Sequence, residues 1–115
     1  MTITISAQYH KEYYAINGRL SEEGMLKNGK KQGEWKSYSP HNYLSGITNY
    51  EMGIEEGLDT GFHENGKIQS TRTFRKGVLI GEYKSYYDDG KTVEEFINYD
   101  TGETKSYHRN GQLEK

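Results

Sequence analysis

The stretch Gly81-Glu82-Tyr83-Lys84-Ser85-Tyr86-Tyr87-Asp88-Asp89-Gly90-Lys91 decides how this chain folds. Its first seven residues favour strand, and Asp89-Gly90 then interrupts them. Asp-Gly between β-formers reads as a hairpin, because a type I′ turn needs positive φ. Beyond it, Val93, Glu95, Ile97 and Tyr99 recur at period two, which predicts a second strand with one largely apolar face. Asn17-Gly18, Asn65-Gly66 and Asn110-Gly111 repeat the turn chemistry, and Asn28-Gly29 and Lys76-Gly77 punctuate the links between units.

Outward from this hairpin the pattern recurs. An aromatic residue stands at Tyr14, Tyr38, Phe62 and Tyr86, each 24 residues after the last, and at Tyr107 after a step of 21. Gly33, Gly57, Gly81 and Gly102 precede the aromatic by five residues, with Tyr9 in the first copy. Gly18, Gly66, Gly90 and Gly111 follow it by four, with Asn42 in the second copy; Leu20, Leu44, Ile68 and Leu113 follow it by six. A fixed period in this range marks one supersecondary unit copied along the chain. At the usual ~5–6 residues per strand, each unit holds two strands and two turns. The expected fold is all-β: an elongated antiparallel meander of about ten strands, one domain over residues 1–115 in about five hairpin units. Thr2-Ile3-Thr4-Ile5 should open the sheet, and Gln112-Leu113-Glu114 should begin a last strand and stop. Ser39-Pro40-His41-Asn42 should form a longer, distinct loop, and Tyr99-Asp100-Thr101-Gly102 a tighter one.

Composition narrows the functional classes. Hydrophobic residues are 31% of the chain, yet eleven tyrosines, three phenylalanines and one tryptophan argue for order rather than disorder. Cross-strand pairs should supply the stability, with both sheet faces partly wet. The net charge of −2 with interspersed signs offers no nucleic-acid footprint and disfavours a membrane surface. There is no cysteine, hence no disulfide or thiolate site, and no apolar run of membrane-spanning length. A cytoplasmic protein is the expectation.

The residues do not assemble a catalytic centre. His10, His41, His63 and His108 lack the spacing of a metal motif, so no metal or cofactor is expected. Glu94 and Glu95 are neighbours on one strand and should point to opposite faces, so they should not converge as an acid–base pair. Asp88-Asp89 reads as turn chemistry. An enzyme is not expected. What remains is an aromatic surface suited to protein contact. The column aromatics should be packed along the sheet. The candidate partner-binding residues are therefore Tyr13, Trp35, Tyr43, Tyr83 and Tyr87, with the loop at Pro40. Tyr13 and Tyr87, one residue off the column, should face the opposite side from it. An open terminal edge also offers a strand for pairing with a partner or a second copy.

Asn28-Gly29-Lys30-Lys31-Gln32-Gly33, Gly33-Glu34-Trp35-Lys36-Ser37-Tyr38 and the stretch 81–91 resemble the MORN-repeat variant found in bacterial YwqK-type antitoxins. The likeness extends over most of the chain and is weakest at 39–56. It implies a sheet of repeated β-hairpins and a role in binding and neutralising a protein toxin. A scaffold or phospholipid-binding module is the alternative that other MORN proteins suggest. No functional residue carries over from the family.

Overall fold

A computed structural model describes residues 6–114; Thr2–Ile5, expected to open the sheet, lies outside the described residues. Among the described residues nine strands follow one another: β1 (Ala7–Tyr13), β2 (Leu20–Lys27), β3 (Lys30–Tyr38), β4 (Leu44–Glu51), β5 (Ile54–Phe62), β6 (Ile68–Arg75), β7 (Val78–Tyr86), β8 (Val93–Asn98) and β9 (Thr104–Ser106). They pair antiparallel in sequence order as a single open sheet. The envelope measures 63 × 37 × 19 Å, elongated as the repeat requires. Leu113 meets Tyr107 in one bridge, so the last hairpin begins and stops.

The two ends of the strands carry different turns, and they reverse the assignment made from Asp-Gly and Asn-Gly. Asn28-Gly29, Met52-Gly53 and Lys76-Gly77 have positive φ at both positions, and these are the two-residue type I′ links. At the other end, Glu64-Asn65-Gly66 is a three-residue loop. Gly66 N donates to His63 O, His63 N donates to Lys67 O, and only the glycine is left-handed. Ser39–Tyr43 closes in the same way, with Pro40 after the first turn residue, where its fixed φ fits, and Asn42 left-handed at φ 71°. That loop is therefore neither longer nor distinct. The link Tyr99–Gly102 is wider than its counterparts rather than tighter: Asn98 N donates to Glu103 O across four residues.

Lys76 sits at φ 49° in a type I′ turn where the equivalent residue of the β2–β3 link is Asn28 at φ 52°. Left-handed backbone costs a long side chain roughly 1–2 kcal/mol and asparagine less. Lys76→Asn is expected to stabilise the protein by up to about 1 kcal/mol. Thermal unfolding would show this as a rise of a few degrees, and a fall would contradict the assignment.

Register also revises the aromatic column. The residue paired with the aliphatic at the loop end is Tyr13 (with Leu20), Tyr38 (Leu44), Phe62 (Ile68), Tyr86 (Val93) and Tyr107 (Leu113). Tyr13, and not Tyr14, belongs to this column. The first loop holds one extra residue, Ala15–Gly18, and by register β1 has Gln8 where β3, β5 and β7 carry a glycine. Those glycines, Gly33, Gly57 and Gly81, have φ of 73°, 93° and 62° and accompany a break in the ladder with the preceding strand. A bulge of that handedness requires glycine. The extra loop residue sets β1 one place out of phase with the spacing along the chain, so Tyr13 shares a face with Tyr38 rather than opposing it.

An extra residue likewise displaces Thr92 in the loop Asp88–Lys91, and Val93 takes the aliphatic place. Asp89 holds this loop: its carboxylate accepts from Lys91 N, Thr92 N and the Thr92 hydroxyl. These donors, the hydroxyl foremost, bring its pKa down to about 2. A depressed folded pKa means the stabilisation is present above the ordinary value of 3.8 and is lost as pH falls toward about 2. Asp89→Asn should remove that part of the acid sensitivity while keeping the turn, as Asn65 Oδ1 does by accepting from Lys67 N. Thermal unfolding from pH 6 to 2 should show a shallower fall for the variant; parallel curves would exclude the role.

The most buried side chains lie on the face opposite Tyr38. Trp35 is 2% exposed and Phe74 8%. Trp35 lies over Gly24, and its indole Nε1 donates to Met25 O at 2.9 Å. Beside it on the same face, Asp59 accepts from Thr48 Oγ1 and from Arg72 Nε, each at 2.6 Å. The Tyr38 face carries a smaller clamp, in which Tyr9 and Tyr38 both donate to Glu23 at 2.6 Å. That carboxylate raises the Tyr38 pKa to about 12, and the two hydroxyls lower that of Glu23.

Candidate functional site

The Trp35 face presents a continuous row of small residues. Pairing strand to strand runs Glu22–Ser37–Gly46–Gly61–Ser70–Ser85–Glu95–Ser106. Between β4 and β7 every member is glycine or serine, so the row is a trough. One wall comes from the next row of the same face, Trp35, Asp59, Arg72 and Tyr83.

The other wall is built at the loop ends, where each unit is tied to the next. Tyr14 Oη donates to Tyr38 O at 2.6 Å, His63 Nε2 to Tyr86 O at 3.0 Å, and Tyr87 Oη to Tyr107 O at 2.5 Å. All three stand directly after the column aromatic of their unit and reach the carbonyl of the next one. Asn17 Nδ2 reaches Pro40 O and Asn65 Nδ2 reaches Asp88 O in a parallel line of bonds. The Arg109 guanidinium stacks 4.7 Å from the Tyr87 ring centre while donating to Asp88 at 2.7 Å. This wall is thereby held at several points.

Toward the C-terminal units the trough deepens into an open groove of about 530 Å³. Ser70, Ser85 and Ser106 are on its floor, Tyr83 and Tyr87 at its sides, and Glu94, Glu95 and Glu114 around it. Among the described residues no lysine or arginine lines it. Both Glu94 and Glu95 reach the groove, against the expectation that they diverge. The ladder slips there, Ser85 pairing with Glu95 but Tyr86 with Val93, so Glu94 is bulged out of the alternation.

Of the residues singled out from sequence, the structure brings together Tyr83 and Tyr87. Trp35, equivalent to Tyr83 in the repeat, is buried and offers no exposed surface. Tyr13 is 58% exposed, on the Tyr38 face away from the groove. Pro40 is exposed at its loop tip, with its carbonyl engaged by Asn17 and Arg19, and Tyr43 is half-buried beside it. Ser85 and Ser106 were not singled out, and Glu95 was weighed only as half of an acid–base pair; their common signal is the pairing across strands, which requires the register. Among the described residues no three histidine, aspartate or glutamate side chains gather as a metal centre would need.

Residues 55–76, 79–101 and 100–115 match the MORN repeat variant, the boundaries falling close to the I′ links and the last loop. No curated protein and no solved structure matches the chain.

Proposed function

Because the chain belongs to the MORN repeat variant family, and so to a class of binding and scaffold modules, we propose that it works as an inhibitor of the antitoxin or immunity type. In this reading it neutralises a partner protein by docking the Trp35 face upon it. The observation that carries the proposal is the groove over β6–β9, whose wall is fixed by inter-unit hydrogen bonds. A surface already held in one conformation loses little entropy on binding. Tyrosine and serine are also among the side chains enriched where proteins grip other proteins, tyrosine at low entropic cost.

The test is co-expression of a tagged copy with the product of the adjacent gene, followed by size-exclusion chromatography. A co-eluting complex that suppresses the neighbour's toxicity is the expected result. Separate elution at micromolar concentrations, with toxicity unrelieved, would remove the inhibitor reading.

A further inference from the structure

Twice on this face a carboxylate, a serine and an aromatic ring stand together, and among the described residues only one of the two groups has a cation of its own. In the first, Trp35 stands two residues before Ser37, and Glu22 lies directly across from that serine. The Lys31 ammonium sits 3.1 Å from Glu22 Oε2 and 4.7 Å over the Trp35 ring, with the Tyr50 ring 5.1 Å away. In the second, two units later, Tyr83 stands two residues before Ser85, and Glu95 lies directly across from Ser85, here on the following strand where Glu22 is on the preceding one. Here Leu79 takes the place of Lys31 in the repeat. Among the described residues Glu95 makes neither an ion pair nor a side-chain hydrogen bond. Arg72 on the same face is directed the other way, to Asp59 at 2.6 Å, and Arg109 at the wall is engaged by Asp88 at 2.7 Å.

We infer that the groove over β6–β9 takes a cationic side chain of an extended protein segment, seated between the Glu95 carboxylate and the Tyr83 ring. This rests on the protein-binding reading above and names the chemistry of the segment. The Lys31 site shows that this face can hold an ammonium between a carboxylate and an aromatic ring. Arginine suits the second site best, since its guanidinium stacks on a ring and donates to a carboxylate through one planar group. Glu94 and Glu114 add negative potential around the groove. From β6 to β9 the floor spans three strand spacings, roughly 14 Å, the length of about four extended residues. Ser70, Ser85 and Ser106 offer hydroxyls to such a backbone.

The probe is a five-residue peptide with one arginine flanked by serine and glycine, titrated into the full chain and followed by amide chemical shifts. The control is the same peptide with neutral citrulline in place of arginine. The arginine peptide should move Ser85, Glu95 and Ser106, and the citrulline peptide should bind about tenfold more weakly. Glu95→Gln should weaken arginine binding by a similar factor. Leu79→Lys should do the same for a different reason, because it would place an internal ammonium over the Tyr83 ring, as Lys31 lies over Trp35. Glu34→Gln, an exposed carboxylate on the opposite face, should change nothing. Circular dichroism checks each fold, and if Glu95→Gln fails to fold, Leu79→Lys decides. Equal binding of the two peptides, no binding of either, or unchanged binding to Leu79→Lys would each overturn the inference. If the partner complex forms but these results fail, only the chemistry of the segment falls. If the arginine peptide binds but the adjacent product does not, the inhibitor reading falls instead.

Discussion

Trp35→Ala is expected to cost about 3–5 kcal/mol, the largest effect of any single side-chain truncation in this sheet. A domain of this size is held by roughly 5–15 kcal/mol in all, so the variant should be partly unfolded at 37 °C. The magnitude follows from how little else is buried: among apolar side chains of the described residues only Trp35 and Phe74 are closed off from water. A single-layer sheet cannot redistribute the loss into a second layer. The truncation also leaves Met25 O without the indole donor at 2.9 Å and Lys31 without the ring beneath it. Urea unfolding followed by circular dichroism would measure the effect. A loss below about 1 kcal/mol, the range of a surface substitution, would mean that the centre of stability lies elsewhere. Phe74→Ala, on the same face three strand pairings away, should be the next most costly truncation.

The repeat itself was legible because each of its glycines answers a backbone requirement that survives copying. Period, strand count and meander order follow from that alone. Three features were not legible, each for a stated physical reason. Asn-Gly and Asp-Gly suit both a type I′ turn and the left-handed end of a three-residue loop, so the dipeptide alone cannot assign the loop; in this chain Met52-Gly53 and Lys76-Gly77 took the I′ role. Tyr13 and Tyr14 exchanged places in the column because spacing along the chain counts loop residues that pairing across the sheet does not. Trp35 and Tyr83 occupy equivalent repeat positions, yet one is buried and the other lines a groove. That difference lies in the neighbouring strand, where Gly24 makes room for the indole and Arg72 stands at the corresponding place. The groove was half visible, since Tyr83 and Tyr87 could be picked out as off-column aromatics. Glu94 and Glu95 could not, because a bulge changed the alternation on which the reading relied.

Gly24→Ala isolates the same packing from the other side. A Cβ at this position would stand 2.4–2.5 Å from Cγ, Cδ2 and Cε2 of Trp35, atoms of a rigid ring rather than the end of a flexible chain. The backbone at Gly24 is not left-handed, so alanine is conformationally acceptable there and the penalty is contact alone. Overpacking of this kind costs about 1–3 kcal/mol. Gly33→Ala makes the contrasting case, because nothing lies within 4 Å of its added Cβ but φ is +73°. Its cost, roughly 1–2 kcal/mol, comes from backbone handedness. The two losses would look alike in a single melt, and a second substitution separates them. Trp35→Leu in the Gly24→Ala background removes the ring that the new methyl meets, so the pair should be less destabilised than the sum of its single changes. In the Gly33→Ala background the same tryptophan change should simply add. Additivity at Gly24 would show that the indole does not rest on that glycine, and with it would go the account of why the Trp35 position is closed while the Tyr83 position is open.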